Sequence, residues 1–533
     1  MNDLSTSPAG LAQVPQILGR RPVNPRRFRN WARASDAGAT EWTGQRSSAS
    51  SVIGFVLVAA FLVAAFVARS NLSEDIITWA LLSAINAAAL ALVLAALVRS
   101  HMPPVFYGAI LIELLIGSLF QLFFFSYNLL RNRLFIIEQA PFHGFVTPDH
   151  IARAYGLITL VFATTCILLA ILASIPTRTT LPKFASAVGR NFPTMLIVGT
   201  VGYVLFTTIQ ISFGIGRSAL YNPTLPFRLV AITLFYQRYF FPALLLLGIW
   251  VYERRNRRLS YWCLAGTGMV AAVASYTATS RGAIMTLGGP VVFLWLLTGR
   301  FTKFRKFLVV AAFGVYLVSA PVLTSLRVAR VHTITGGSPS GLLKPDPLSA
   351  ASLNYELGHF VFRVGGAGSL LFAIDHQDKL SLEGIKNVIR PSGLTSHFTR
   401  DVVGLPRSAT VASNQAPTAI GLGTMIGGAT GAVLYVSAVV VALDMSRRVI
   451  MRTFRSWPVA LAILAFAAVI FFSEGVTINL YKSFLTVGLI EVLFRYAGPP
   501  SKTAAASPGR PPVASARHNM GWLADPSLPS RRE

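Results

Sequence analysis

The chain is poor in charged residues, in acidic residues above all, and in cysteine. Only 13% of its 533 residues are charged, against roughly a quarter in soluble domains, and 20 acidic residues face 47 basic ones. The two cysteines, Cys166 and Cys263, exclude a disulfide framework and a cysteine-rich metal site. The Walker A, HExxH and GxSxG motifs are also missing, so ATP hydrolysis or proteolysis by those routes is unsupported.

Apolar residues make up 53% of the chain and lie in long runs, with a mean hydropathy of +0.58. A helix needs about 20 apolar residues to cross a bilayer. The pattern therefore predicts an all-α polytopic membrane protein with about 12 transmembrane helices. The predicted runs are 52–68, 76–98, 105–127, 155–175, 194–213, 229–252, 259–277, 283–298, 307–325, 417–443, 457–472 and 476–494.

The distribution of lysine and arginine sets the predicted orientation. If the N-terminus is cytoplasmic, the inner segments hold 29 basic residues and the short outer loops hold 7. Cytoplasmic segments carry such an excess, so both termini are predicted to be cytoplasmic. Much of the net charge of +27 then reflects topology, and no nucleic-acid partner is expected. The first span is expected to act as an uncleaved insertion signal, because residues 1–50 are polar and rich in arginine.

This topology divides the chain into five parts. Residues 1–50 and 497–533 are predicted to be a basic N-terminus and a tail, both cytoplasmic and mostly disordered. Residues 51–325 hold transmembrane helices 1–9, and residues 417–496 hold helices 10–12. Between them lies one large outer loop, residues 326–416, with short helices predicted inside it. Long loops in compact proteins are usually functional.

One group of residues in the large outer loop has the composition of a catalytic site. In a helix, Glu356, His359 and Arg363 share one face, at spacings of i, i+3 and i+7. The carboxylate can orient the histidine as a general base, and the guanidinium fits phosphate oxygens. The alternative is an amphipathic helix that lies on the membrane surface and carries the same residues on its water-facing side.

Arg238 is the most informative charged residue, because it lies among aromatic side chains inside the predicted span 229–252. A charge within a bilayer costs at least about 2.5–3.5 kcal/mol, so it normally faces a partner or a cavity. Two interpretations remain open. Arg238 forms a structural pair with Glu113, a second charge inside a span, or it lines an outward cavity and meets an anionic lipid headgroup.

Further arginines are predicted at the outer ends of spans. Arg281 lies at the turn between the seventh and eighth spans, where either headgroup contact or ligand binding explains it. Arg217, Arg327 and Arg330 add positive charge at other span ends. Together these residues indicate an outward vestibule that binds anions such as pyrophosphate.

No metal site is expected. The segment Asp375-His376-Gln377-Asp378 has no second cluster at metal-site spacing, and a solvated helix end explains it better. The acidic pair Glu74-Asp75, in the first outer loop, is either a catalytic base or a charge favoured at a helix N-terminus.

This layout resembles that of the bacterial O-antigen polymerases and O-antigen ligases, which are membrane glycosyltransferases that use lipid-linked sugars. The shared features are about twelve spans with both ends inside, and one large outer loop late in the chain. At the level of residues they are the Ser280-Arg281-Gly282 turn, Arg238 in an aromatic-rich span, and the glycine-rich span entry at 416–431. The resemblance covers residues from about 50 to 496.

The resemblance implies polymerisation of undecaprenyl-pyrophosphate-linked oligosaccharide repeat units at the outer face of the bacterial cytoplasmic membrane. It implies no metal and no other cofactor. The expected partners are the lipid-linked oligosaccharide and the lipid bilayer, with a chain-length regulator and a flippase as further candidates. The catalytic candidates are His359, Glu356 and Arg281, and the pyrophosphate-binding candidates are Arg238, Arg281, Arg363, Arg217, Arg327 and Arg330.

Other functions fit the same layout. An O-antigen ligase transfers the lipid-linked glycan to an acceptor, and a related glycosyltransferase uses a polyprenyl-phosphate sugar, with Asp75 as the base. A 12-span flippase or transporter is the main rival of a different class. The outer position of the long loop and the absence of two similar halves speak against it. A structural membrane scaffold is the remaining alternative.

Overall fold

The structure is a computed structural model, and it describes residues 136–137, 144–145, 148–175, 188–216, 223, 225–253, 256–278, 282–298, 300–335, 367–376, 418–475 and 477–496. These residues are almost all helical. Within these ranges the strands are β1 (Ile136–Ile137) and β2 (Gly144–Phe145), which pair antiparallel with Ile136 opposite Phe145. The all-α prediction is confirmed for this part of the chain.

The helices follow one another with short connections over much of the chain. A 3-10 turn (Pro226–Arg228) precedes α3, and a π-helical stretch (Tyr236–Phe240), called the π segment below, joins α3 to α4. The helices are α1 (Pro148–Ser174), α2 (Val188–Phe213), α3 (Leu229–Phe235), α4 (Phe241–Tyr252), α5 (Arg257–Ala278), α6 (Gly282–Leu297), α7 (Lys303–Thr335), α8 (Ala367–Asp375), α9 (Ala419–Thr453), α10 (Trp457–Glu474) and α11 (Thr477–Tyr496).

Several helices are long and apolar enough to cross a membrane. Among the described residues four meet this standard, and they are Asn191–Phe213, Pro226–Tyr252, Lys303–Leu323 and Ala419–Thr453. Shorter apolar helices cover Arg153–Leu169, Ala283–Leu297 and Trp457–Phe472. The predicted runs 52–68, 76–98 and 105–127 lie outside the described residues. The total of twelve spans therefore stays a prediction.

Helix α4 lies at the centre of the bundle. Residues 243–252 are all buried, and they pack against α2, α5, α10 and α11. A helix that is apolar all round is expected in such a position. The outer helices differ, because α2 and α7 expose aliphatic side chains such as Val201 (65%) and Val310 (69%). Such surfaces are typical of contact with lipid.

Three short connections between helices lie at one end of the bundle, called the turn end below. They join 253 to 256, 298 to 302 and 454 to 456. Arg305 at the start of α7 binds Glu253 after α4, and Ser456 donates to Glu491 near the end of α11. Trp250 packs on Phe494, which brings the ends of α4 and α11 together. The opposite end of the bundle therefore carries the last turns of α2 and α5 and the first turns of α3 and α11.

Helix α9 differs from the single predicted span 417–443. Its backbone breaks at Gly427 (φ −164°, ψ 43°) and Gly428 (φ 56°, ψ −146°). A Cβ on Gly423 would lie 2.6 Å from the Cα of Ala432, whereas nine residues of continuous helix span about 13 Å. The chain therefore folds back at the two glycines, and a short half-helix packs against the start of a longer one. The longer part continues past the predicted end to Thr453.

Helix α7 also runs beyond its predicted span. Its last residue is Thr335, ten residues after the predicted end at Ser325. The extension belongs to the segment predicted to begin the large outer loop. Within that loop, where short helices were predicted, the structure describes α8, which packs its buried residues 370–374 against α1 and α9.

Candidate functional site

Carboxylates and arginines are paired at the turn end. Asp444 and Arg447 are almost fully buried, with 1% and 0% of their side chains exposed, and their nearest atoms are 2.8 Å apart. Glu491 also accepts hydrogen bonds from the backbone of Arg455 and Ser456. These contacts balance charge inside the protein, so this end has a structural role. The pairs are Glu253 with Arg300 and Arg305, Asp444 with Arg447 and Arg448, and Glu491 with Arg495.

Arg238 lies nearer the opposite end, in the middle of the π segment. Single π-helical turns inside α-helices are rare, and those that occur often lie at functional sites. The side chain is exposed, and its Nη2 donates a 3.2 Å hydrogen bond to the carbonyl of Gly216. It forms no ion pair with any carboxylate whose side chain the structure describes. Glu113, its predicted structural partner, lies outside those ranges.

The carbonyl that accepts from Arg238 is fixed by a tight turn after α2. Gly216 has a φ of +70°, a conformation that favours glycine. The backbone N–H of Ile215 donates to Gln210 O at 3.0 Å, and the Gln210 side chain donates back to Ile215 O at 3.2 Å. A Cβ on Gly216 would lie 2.6 Å from Leu234 Cδ2 and 3.1 Å from Arg238 Nη2. The turn therefore sets the position of the guanidinium.

Lys482 of α11 is a second cation at this level of the bundle. Its Nζ lies 5.4 Å from the centroid of the Tyr239 ring, which is a cation–π contact. The Tyr239 hydroxyl donates a 2.9 Å hydrogen bond to Asn479 Oδ1, on the same helix as the lysine. Arg238 directly precedes Tyr239 in the π segment, and this segment packs against α11, which carries Lys482. Two elements distant in sequence thus carry like charges at the same level of the bundle.

The neighbouring helices are polar at the same level. The buried Gln237 side chain donates a 3.2 Å hydrogen bond to Thr207 Oγ1 of α2. On α5, the Thr277 hydroxyl lies 3.5 Å from Gln210 Oε1 and donates to Val273 O at 2.8 Å. These side chains are hydrogen-bonded in place, as buried polar groups require. They form a polar layer within helices that are otherwise apolar.

A second polar contact joins α1 to α8. His150 Nε2 lies 3.0 Å from Asp375 Oδ1, and both side chains are partly exposed. His376 stacks on Phe372 with ring centroids 3.9 Å apart. The sequence predicted a solvated helix end at 375–376, and α8 does end there, but Asp375 is paired. The contact fixes the last turn of α8 on the first turn of α1.

The predicted site residues fall into three groups. Arg238 is the candidate whose side-chain contacts the structure gives. Arg327 and Arg330 lie on the last part of α7, where only the backbone is described. The other candidates lie outside the described residues. They are the proposed base and its partner, His359 and Glu356, and the proposed phosphate ligands Arg281, Arg363 and Arg217. Whether they join Arg238 stays a prediction.

The sequence analysis missed Lys482. It lies inside the predicted span 476–494, so it carries the same signal as Arg238, a charge within an apolar run. Its partner Tyr239 is the residue that follows Arg238. No sequence pattern links positions 239 and 479, since the contact depends on how the helices pack.

No protein-family model matches the chain, and comparison with curated proteins and with solved structures gives no match either. The function is therefore argued from the chain's own residues.

Proposed function

We propose that this protein is a glycosyltransferase of the bacterial cytoplasmic membrane. It polymerises oligosaccharide repeat units carried on undecaprenyl pyrophosphate, with the opposite end of the bundle facing outward and both termini in the cytoplasm. Its twelve spans and its orientation are part of the proposal. The observation that carries it is Arg238, an exposed cation within an apolar span that pairs with no described carboxylate.

The contrast between the two ends supports a ligand for Arg238. At the turn end, arginines are neutralised by acidic side chains of the protein itself. At the opposite end, Arg238 binds only a backbone carbonyl among the described residues, and a carbonyl does not neutralise its charge. A charge is retained inside a membrane protein when it faces a cavity, a partner or a substrate. A phosphate group supplies the missing negative charge and matches the guanidinium geometry.

The proposed reaction is a single displacement. The acceptor hydroxyl oxygen forms a bond to the anomeric carbon as the bond from that carbon to the pyrophosphate oxygen breaks. The hydroxyl proton passes to a base, for which His359 remains the candidate from the sequence. Negative charge then grows on the departing pyrophosphate, and Arg238 would stabilise it. Stabilisation of developing charge by fixed donors is commonly the largest contribution to catalysis.

The broken helix α9 supports a second candidate, a flippase or transporter of lipid-linked sugars. Transporters often bind substrate where membrane helices are discontinuous, and α9 is interrupted at Gly427 and Gly428. The half-helix before the break is buried against the protein, which is how irregular backbone is tolerated within a bilayer. Both candidates use an anionic lipid, and they differ in whether a bond is made.

The proposed function is tested on surface glycan resolved by chain length. A deletion strain is complemented with the wild type, with Arg238→Ala, or with Arg258→Ala. We expect Arg238→Ala to behave like the deletion, with single repeat units on the acceptor and no long chains. Arg258 is exposed at the turn end, so its variant should restore long chains.

The other outcomes separate the alternatives. Loss of all glycan on the acceptor, with polymer still on undecaprenyl pyrophosphate, indicates a ligase. Accumulation of lipid-linked single units on the cytoplasmic side indicates a flippase. A deletion strain with an unchanged glycan profile would rule out all three.

A further inference from the structure

Arg238 and Lys482 are two cations at the same level of the bundle, and Lys482 contacts Tyr239, the residue that follows Arg238. Arg238 comes from the π segment and Lys482 from α11, and these two elements pack against each other. None of the carboxylates whose side chains the structure describes forms an ion pair with either cation. Like charges held together in a medium of low dielectric are unfavourable unless an anion joins them.

Contacts with neighbouring residues hold Lys482 in position. The ring of Tyr239 lies against its ammonium group, and the Tyr239 hydroxyl is bound to Asn479, three residues earlier on the same helix. Tyr239 directly follows Arg238, so one short stretch of backbone carries both the arginine and the aromatic support for the lysine. Arg238 is in turn held by the carbonyl of Gly216. Neither cation is a freely moving surface side chain.

The described polar side chains at this level carry no negative charge. They include the amides Gln210, Gln237 and Asn479 and the hydroxyls Thr207 and Thr277, all of them neutral. Their hydrogen bonds include those of Gln237 with Thr207, of Asn479 with Tyr239 and of Gln210 with the carbonyl of Ile215. The pair of cations is thus set in a neutral polar layer that is bounded by apolar helix surface. An anion entering this layer meets two fixed positive charges.

We propose that Lys482 and Arg238 together form one binding site for a phosphoryl group, with Lys482 as the second ligand-binding cation. A diphosphate suits the pair better than a monophosphate, because its two phosphoryl groups can each meet one cation. This inference rests on the proposed function for the identity of the lipid. The shared chemistry is the phosphate, which arrives on a lipid-linked diphosphate, on a bulk anionic lipid or as free pyrophosphate.

The test is direct binding, without turnover. The full-length protein is placed in nanodiscs of zwitterionic phosphatidylcholine and titrated with farnesyl pyrophosphate, and its binding is followed by tryptophan fluorescence. We expect Lys482→Gln and Arg238→Gln each to weaken binding at least tenfold, and the double variant to add little. Lys482→Arg should retain most of the affinity, which shows that the loss reflects charge. Arg258→Gln is the matched control and should bind as the wild type does.

Competition against bound farnesyl pyrophosphate shows which kind of phosphate-bearing molecule the site recognises. Displacement by inorganic pyrophosphate, but not by farnesol, supports a site that recognises the diphosphate. Equal displacement by phosphatidylglycerol in the nanodisc supports the two-cation site and assigns it to bulk anionic lipid. Wild-type affinity of a folded Lys482→Gln variant would overturn the inference. Intact farnesyl pyrophosphate binding with a normal glycan profile in the deletion strain would instead overturn the proposed function and leave the site in place.

Discussion

Tyr239 and Asn479 are joined by a 2.9 Å hydrogen bond, in which the tyrosine hydroxyl donates to the amide oxygen. The two residues are 240 positions apart in the chain. Their contact ties the π segment to the first turn of α11 and sets the ring beneath Lys482. Changes at this contact should therefore affect stability and anion binding together.

Tyr239→Phe should lower stability by about 1 kcal/mol, the usual net value of one hydrogen bond. The ring stays in place, so the cation–π contact with Lys482 is retained and farnesyl pyrophosphate binding should weaken less than in Lys482→Gln. Tm in detergent and the titration described above measure the two effects. Tyr261→Phe is the control, since that side chain is 48% exposed. Equal Tm values for both variants would show that the Asn479 bond contributes nothing.

Gly216→Ala should disturb the site without removing a charge. The φ of +70° strains any side chain there, and the added methyl would approach Leu234 and Arg238. We expect a loss of about 1–3 kcal/mol and weaker farnesyl pyrophosphate binding. Gly268→Ala is the matched control, because its methyl meets nothing within 4 Å in the middle of α5. That change should leave stability unchanged or raise it by about 0.5–1 kcal/mol. A Gly216→Ala variant as stable as Gly268→Ala would contradict the turn geometry.

Gly423→Ala should disrupt the fold-back of α9. Its methyl would meet backbone, at 2.6 Å from Ala432 Cα and 2.9 Å from Gly431 O, so the two parts of the helix must separate. Overpacking of this kind costs about 1–3 kcal/mol or more. The expected result is a lower Tm and faster proteolysis of α9. Gly488→Ala, on α11, meets nothing within 4 Å and should behave as the wild type does. A normal Tm for Gly423→Ala would show that α9 does not fold back.

Asp444→Asn should destabilise the turn end strongly. The change removes the negative charge that faces Arg447, whose side chain is 0% exposed, and weakens the contact with Arg448. Loss of one member of a buried pair costs about 3–5 kcal/mol. Asp375→Asn is the comparison, since that carboxylate is 35% exposed beside His150 and its loss should cost about 0–1 kcal/mol. Similar Tm values for the two variants would argue against a structural role for the buried pair.

The proposed orientation can be tested with single cysteines. Both native thiols are buried, Cys166 at 0% and Cys263 at 6% exposure, so the wild type should resist a membrane-impermeant maleimide. Phe227 is 92% exposed in the 3-10 turn before α3, and Arg258 is exposed at the turn end. In intact spheroplasts, Phe227→Cys should be labelled and Arg258→Cys only after permeabilisation. The reverse labelling pattern would show that the protein has the opposite orientation in the membrane.

Periodicity and hydropathy predict the helices well because each depends on a local run of apolar residues. The central helix α4, for example, is apolar on all sides and lies within the predicted span 229–252. Arg238 was found for the same reason, since a charge in an apolar run stands out. Lys482 was equally visible but was overlooked.

Other features do not follow from local sequence. The π segment is a change in backbone hydrogen bonding that no residue pattern in Tyr236–Phe240 requires. The reversal at Gly427 and Gly428 could be suspected from the glycines, yet glycines also occur in unbroken helices such as α5. The pairing of Tyr239 with Asn479 depends on tertiary packing across 240 residues.

The exposure of Arg238 has a kinetic consequence. Under the proposed function, the exposed guanidinium of Arg238 meets a lipid that diffuses within the plane of the bilayer. The search for the site is then two-dimensional, and the quantity that sets the encounter rate is the mole fraction of the lipid in the membrane. Its total concentration in the sample would matter little. Turnover in vesicles would fall as inert lipid is added, even though the amounts of protein and substrate stay the same.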